Sequence, residues 1–472
     1  MSVFARCIVL GAEALVRLLL GVYFRRIEIF HAERVPAGPV LFVVNHPGSV
    51  TDAFVVRTSL PRRAHFLATA QLFRLKPVAW LLHHCGVIPL NRVQDDPTAM
   101  RSVTDSFGAA YRVLDGGGGV VIFPEGVTYD DARLKVLKSG AARLALDYEQ
   151  RREGRGGLHL VPLGLTYSAK ERFRSDVLVF FGEPITVANF LPQYTERRKE
   201  CITGLTAKLA RRMQALLVHV PQMELEHMVD AVKRLYLPKL RLGNLVVTAP
   251  MPALTEEVLL TQTIVDACEF AQREMPERAR AFLAHLHRYE RVLRQLHLAA
   301  DDIETLASHR HAAARSIGLG LIALLLFPVA LVGWLHWRPP TRLLDALAGR
   351  VVEAPKRKAQ LAHIRMLFGF ILYGAFFAGY LSLAWVWLGW PRAGWYGLLL
   401  PVTGLVGHYY RQEIGRLFGA VRTAVVLLRA PLARRRVLRM RAALLRDIEA
   451  VRKVYRRTLT PGHIPGVTAD DP

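Results

Sequence analysis

From Pro39 to about Pro184 the chain alternates short apolar runs with stretches of helical spacing, and this alternation restricts the fold more than any other feature. PVLFVVNH, GVIPLN, GGVVIFPEG, LHLVPLGLTY and DVLVFFGEPI read as strands, each ending in turn residues or in side chains able to do chemistry. Between them, Ala53 to Ser59, Leu72 to His83, Thr98 to Leu114 and Gly140 to Gln150 have the spacing of helices packed on a sheet. The expectation is an α/β domain over residues 39–194, a central mixed sheet flanked by helices, with function at the strand ends. Gly116 to Gly119 reads as a turn, because it lacks a P-loop lysine and a following helix.

At 472 residues the chain exceeds one ordinary core. Residues 195–314 turn helical and heavily charged, as expected of a helical hairpin or small bundle. Three apolar segments follow, Ile317 to Trp337, Met366 to Trp390 and Trp395 to Tyr410, giving a membrane-embedded region over 315–411. The second is long enough to cross a hydrocarbon layer of roughly 30 Å without a charge. The first contains Pro328 and reads as a re-entrant pair, with the other two as a crossing hairpin. Residues 412–472 form a basic amphipathic helix, expected to lie on the bilayer, and a tail. Residues 1–38 read as an N-terminal membrane-associated helix, since Glu13 and Arg17 interrupt the run from Cys7 to Phe24 and no cleavage site follows.

Lys and Arg outnumber Asp and Glu by 63 to 39, a formal charge of +24, which calls for an anionic partner. The apolar segments favour phospholipid over nucleic acid, and their Lys- and Arg-rich flanks place those ends, with the active site, on the cytoplasmic side. Cys7, Cys85, Cys201 and Cys268 have no paired spacing, so neither a disulfide framework nor a zinc site is indicated. His83, His84 and Cys85 have no second ligand pair and read as structural.

The chemistry concentrates in VNHPGSVTD, where a strand delivers Asn45 and His46 into a turn and Asp52 opens the next helix. A carboxylate on one imidazole nitrogen fixes the tautomer and leaves the other nitrogen free to take a hydroxyl proton. Alone, the pair reads more readily as a helix cap and a turn residue. Asn45 reads as a hydrogen-bonding brace for the loop. Further on, VVIFPEGVTYDD ends a strand in Glu125 and Gly126, and LKVLKSGAARLAL places Lys135, Lys138 and Gly140 before a helix, where an anion could be met.

Together these elements resemble the glycerol-phosphate and lysophosphatidate acyltransferase family. Its four ordered blocks are matched by Asn45-His46 with Asp52, GVIPLNR ending in Arg92, FPEG from Phe123 to Gly126, and VPLGLTY around Val161 and Pro162. The resemblance implies that His46 is the general base, Asp52 its orienter, Arg92 a contact to the acceptor phosphate, and Glu125 with Gly126 acceptor-binding. It implies no metal and no cofactor, with acyl-CoA or acyl carrier protein as co-substrate. Five residues, Pro47 to Thr51, separate His46 from Asp52, where the usual pattern has four. That longer spacing resembles a subgroup of fungal-type enzymes, and similar bacterial proteins, acting on glycerol 3-phosphate or dihydroxyacetone phosphate.

The reading that follows is a membrane-bound acyltransferase of glycerophospholipid synthesis, multi-pass or hairpin-anchored, working on a phosphorylated glycerol acceptor. Acylation of a lysophospholipid such as lysophosphatidate uses the same chemistry. A non-catalytic membrane scaffold has no use for His46, Asp52 and Glu125 together.

Overall fold

Val40 to Val44 are five consecutive apolar residues, four of them valine or phenylalanine, and they form a strand (β2) with every residue fully buried. A strand hidden on both faces needs neighbours on both edges and layers above and below. The sheet supplies them: eight strands, β1 Phe24–Phe30, β2, β3 Ala64–Thr69, β4 Val87–Leu90, β5 Gly119–Ile122, β6 His159–Tyr167, β7 Ser175–Phe181 and β8 Ile185–Thr186. Their order is β1-β7-β6-β2-β5-β3-β4, with β8 on β6. β2 runs parallel to both β5 and β6, while β7 and β8 pair antiparallel with β6, so the sheet is mixed. The computed structural model describes residues 3–90, 100–126, 134–217, 223–242, 253–300, 302–303, 312–351 and 357–458.

Alternate residues of β2 feed two cores. Val40, Phe42 and Val44 pack with α1 (Val3–Tyr23) through Leu19, Leu20 and Tyr23, and with α2 (Val50–Ser59) through Val55 and Val56. Leu41 and Val43 face the layer built by α4 (Met100–Asp115), α5 (Gly140–Arg151) and α6 (Arg198–Ala215). α3 (Lys76–His84) leads into the edge strand β4. Cys201, Leu205, Leu209 and Met213 of α6 belong to this core, which therefore reaches past the boundary at 194 that the sequence suggested.

Two strands escaped the sequence reading. FRRIEIF was expected within a membrane-associated N-terminal helix, yet it forms β1 and pairs parallel with β7 at the sheet edge. Two arginines hide its period of two; Arg25 and Arg26 both reach Asp176 of β7 instead of interrupting the strand. β3, AHFLAT, carries no apolar run longer than three residues, since His65 interrupts it near its start.

The chain divides into two compact units, one comprising Met1–His219, Met251–Val258 and Val351–Leu367, the other Val220–Pro250, Leu259–Arg350 and Phe368–Pro472. The first holds the sheet. The second is helical, with α7 (Met223–Leu242), most of α8 (Ala253–Glu274), α9 (Pro276–Gln295), α10 (Ala312–Val351), most of α11 (Arg357–Leu388), α12 (Trp390–Arg429) and α13 (Pro431–Thr458).

Two stretches, Gly320–Arg350 and His363–Leu388, are long and apolar enough to cross a membrane by length and composition. α10 runs without a break through Pro328, Pro339 and Pro340, in place of the expected re-entrant pair. Helical spacing continues on both sides of Pro328, so the proline removes one hydrogen bond without ending the helix. α13 also departs from expectation. Its apolar side, Val437, Leu444 and Ile448, is buried against α9 and α7 instead of being free for a bilayer, and His285 meets Asp447 at 2.9 Å.

Candidate active site

The parallel register of β5, β2 and β6 brings three of the four sequence blocks to one edge of the sheet. Val43 lies between Ile122 and Pro162, so the residues that follow each strand emerge side by side. The turn after β2 is then held from both neighbours. The Asn45 amide donates to the Leu165 carbonyl at 3.0 Å and its oxygen accepts from the Leu165 N–H at 2.7 Å. The His46 N–H donates to Glu125 at 2.9 Å, and the imidazole stacks on Phe123 with centroids 4.3 Å apart.

His46 Nδ1 lies 2.8 Å from Asp52 Oδ2, so the longer spacing between the two residues still closes the pair. Local geometry shows how. Ser49 takes a left-handed φ of 59°, and Gly48 passes so close that a Cβ there would sit 2.6 Å from Asp52 Oδ1. The Asp52 side chain is fully buried, and three donors hold it: His46, the Gly48 N–H at 2.7 Å and the Tyr167 hydroxyl at 2.6 Å. Burial, with the Asp52 charge adding to it, pushes the Tyr167 phenol well above its usual range, so it stays a neutral donor. Lys170, just beyond the same strand, donates to the Pro47 carbonyl at 3.0 Å.

Glu125 is buried beside the turn, one oxygen on the His46 N–H and the other 3.3 Å from the Lys135 N–H. Burial pushes its carboxyl up, against the pull of those two amides. It therefore ties the His46 turn to the segment that leads into α5. Gly126 takes a φ of 71° and packs against Lys138, whose Nζ would lie 2.7 Å from a Cβ at that position. Arg92 lies outside the described residues, beyond β4, which stands at the far edge of the sheet.

A cavity of 1510 Å³ passes over these strand ends. On the α1–α2 side apolar residues of both helices line it together with Glu13, Arg17, Arg57, Arg62 and Arg63. α2 lines it with Val50, Ala53, Phe54, Arg57 and Thr58, the stripe of one helical face, and Arg57 is paired with Glu13 of α1 at 2.6 Å. On the α4–α6 side the lining includes Lys138, Arg143, Arg151 and Arg198. His46 and Gly126 lie on its wall. Among the described residues, no group of three or more His, Cys, Asp or Glu side chains is arranged to hold a metal ion.

Phe123, Tyr167 and Lys170 were not read from the sequence as site residues. Tyr167 carried a signal nonetheless: it ends the fourth block, a buried strand, and a tyrosine in such a place needs a partner for its hydroxyl.

A buried carboxylate on an imidazole that lines a cavity, at the ends of parallel strands, is an arrangement able to draw a proton from a hydroxyl. Residues 26–166 match the Acyltransferase family model. An uncharacterised acyltransferase of Schizosaccharomyces pombe is 23% identical over 308 residues, covering 47% of this chain and 46% of that protein. Glycerol-3-phosphate O-acyltransferase 2 of Saccharomyces cerevisiae is 30% identical over 155 residues, 32% of this chain and 20% of that one. Human 1-acyl-sn-glycerol-3-phosphate acyltransferase beta is 33% identical over 125 residues, 26% of this chain and 43% of that one. The chain thus spans less than half the length of each of these relatives.

Proposed function

We propose that the chain is an O-acyltransferase that moves a fatty acyl group from an acyl thioester to a hydroxyl of glycerol 3-phosphate or dihydroxyacetone phosphate at a membrane. The observation that carries this reading is His46: Nδ1 is engaged by a buried carboxylate, and the ring lies on the cavity wall. With Nδ1–H fixed on Asp52, Nε2 is the basic nitrogen. It takes the proton of the acceptor hydroxyl as that oxygen attacks the thioester carbonyl. The carbon–oxygen bond forms, the carbon–sulfur bond breaks, and the imidazolium returns its proton to the departing sulfur. Asp52 steadies the imidazolium. Gly126, with Arg92, is assigned to the acceptor, and Glu125 supports the same site by bracing the His46 turn.

Membrane association is supported by α10 and α11. Leu324, Leu325, Ile371, Val386 and Trp387 are between 69% and 81% exposed, a surface that lipid covers and water does not favour. Outward-facing Phe4, Leu10, Leu18 and Val22 on α1 would add an interfacial contact. Basic flanks favour a cytoplasmic active site.

Acylation of lysophosphatidate is the second reading, favoured by the similarity to the human 1-acyl-sn-glycerol-3-phosphate acyltransferase. Labelled acyl-CoA and acyl carrier protein, each supplied with glycerol 3-phosphate, dihydroxyacetone phosphate and lysophosphatidate in parallel, separate the acceptors and donors. His46→Ala is expected to abolish transfer while leaving the protein in the membrane fraction. Full activity in that variant would remove the proposed mechanism.

A further inference from the structure

In the basic segment that follows Tyr410, two helices use their apolar residues differently. α13 buries Val437, Leu444 and Ile448 against α9 and α7. The last turns of α12 leave theirs outside. Phe418, Val421, Val425 and Leu428 are exposed, and Leu432, the second residue of α13, continues the row. Spacings of three and four residues place the four from α12 on one stripe. At about 100° of turn per residue, Gly419, Thr423 and Leu427 lie on the opposite side of the helix, and there Thr423 and Leu427 are buried. Thr423 donates to Asp302 at 3.2 Å, and a Cβ on Gly419 would come within 2.6 Å of the same carboxylate. These contacts hold the small and polar side inward, so the apolar row points out.

An outward row of leucine, valine and phenylalanine calls for a cover. Its length rules out a crossing: Phe418 to Leu428 covers about 15 Å at the helical rise, half of a hydrocarbon layer of roughly 30 Å. A bilayer surface and a second copy of the chain are the covers that fit a single stripe, and the neighbouring charge separates them. Residues 418–436 contain five arginines and no acidic residue. Arg422 and Arg429 border the row, and Arg434, Arg435 and Arg436 follow at the start of α13. All are exposed, and none has a carboxylate within ion-pair distance among the described residues. Two copies packed along this row would bring like charges together. Anionic headgroups attract the same charges, and arginine stems lie readily along apolar surface while their heads reach phosphate.

We propose that the end of α12, from Phe418 through Leu432, lies in the plane of an anionic bilayer surface, with the apolar row among the acyl chains and the arginines on the lipid phosphates. This contact rests on the membrane part of the reading above and is independent of its acyl-transfer chemistry. It gives the bilayer contact of the basic segment to α12, where an apolar face is free, and leaves α13 to the helical bundle.

The test uses the full chain in vesicles of phosphatidylcholine alone and of equal parts phosphatidylcholine and phosphatidylglycerol. Cys7→Ser and Cys85→Ser remove the two cysteines that are not buried. In that background Leu428→Cys, and separately Phe418→Cys, carries a fluorophore sensitive to its surroundings. The emission of each should shift to the blue in the anionic vesicles and less in the neutral ones, and the difference should shrink as salt is added. Adding Arg422→Gln and Arg429→Gln should weaken the contact by about fivefold per arginine, read as a higher fraction of phosphatidylglycerol needed for half the shift. Emission that is the same in both vesicles overturns the proposal: unshifted, it leaves the row in water, and shifted alike with a dependence on protein density, it marks contact with a second copy. A chain that floats with neither vesicle removes the membrane reading as well. One that floats with both and shows no shift removes this contact alone.

Discussion

The turn from Asn45 to Asp52 and the helices α10 to α12 are built on opposite principles. In the turn, position is set by polar atoms: Asn45 makes two bonds to one backbone residue, and Asp52 receives three donors on two oxygens. In the helices it is set by shape. Gly333 lies directly against the Thr403 backbone, Gly404 against the Trp337 indole, and the indole N–H reaches the Leu400 carbonyl at 3.1 Å. Small residues that let backbones approach are what hold helices together where an apolar surrounding gives them no drive to hide from it. A catalytic turn must fix one nitrogen to within fractions of an ångström, whereas a helix contact needs only complementary surfaces.

The largest expected effect tests the polar half of this contrast. Asp52→Asn should lower kcat by about 10²- to 10⁴-fold, because the amide cannot hold the imidazole tautomer or steady its cation. A rate within a few-fold of the parent would separate the turn from catalysis. Gly333→Leu probes the shape half: the side chain must force two backbones apart, at about 1–3 kcal/mol. Thermal unfolding in detergent measures it, and an unaltered midpoint would show that the helices do not rely on this approach.

Tyr167→Phe removes one donor from Asp52 while keeping the ring. A fall of roughly tenfold in kcat with KM held would mark Tyr167 as a positioning residue, the scale of one hydrogen bond to a charged group. A change in KM alone would assign it to substrate binding instead. The smallest effect lies away from both regions, at Asp176. Burial pushes its carboxyl up, but Arg25 and Arg26 outweigh that and hold it below the ordinary range. The resulting stabilisation is complete above the unfolded value of about 4 and is lost as the pH falls through the lower folded value. Asp176→Asn should therefore cost under about 1 kcal/mol at neutral pH and flatten that acid-side loss, as denaturant melts across the pH range would show.

Much of the sheet was legible because buried strands are written as unbroken apolar runs: Val40 to Val44, Gly119 to Ile122 and Leu160 to Leu165 stand out against polar turns. β1 was not, because its arginines are satisfied by a strand about 150 residues away. The break at Pro328 was misread for a related reason, since local proline chemistry does not decide whether a long apolar helix continues. α13 looked like a bilayer helix because amphipathicity states that one face is hidden and not what hides it.

By itself, the sequence determined that a histidine and a carboxylate would share a turn at a strand end, and that an α/β domain would precede long apolar helices. These follow from local order, period and residue type. Only the tertiary structure decided that five intervening residues still bring His46 Nδ1 to 2.8 Å from Asp52. It alone brought Tyr167, Lys170 and Phe123 to the same turn. The reason is physical: parallel neighbours in a sheet are distant in sequence, and the bonds that position a catalytic pair cross that distance.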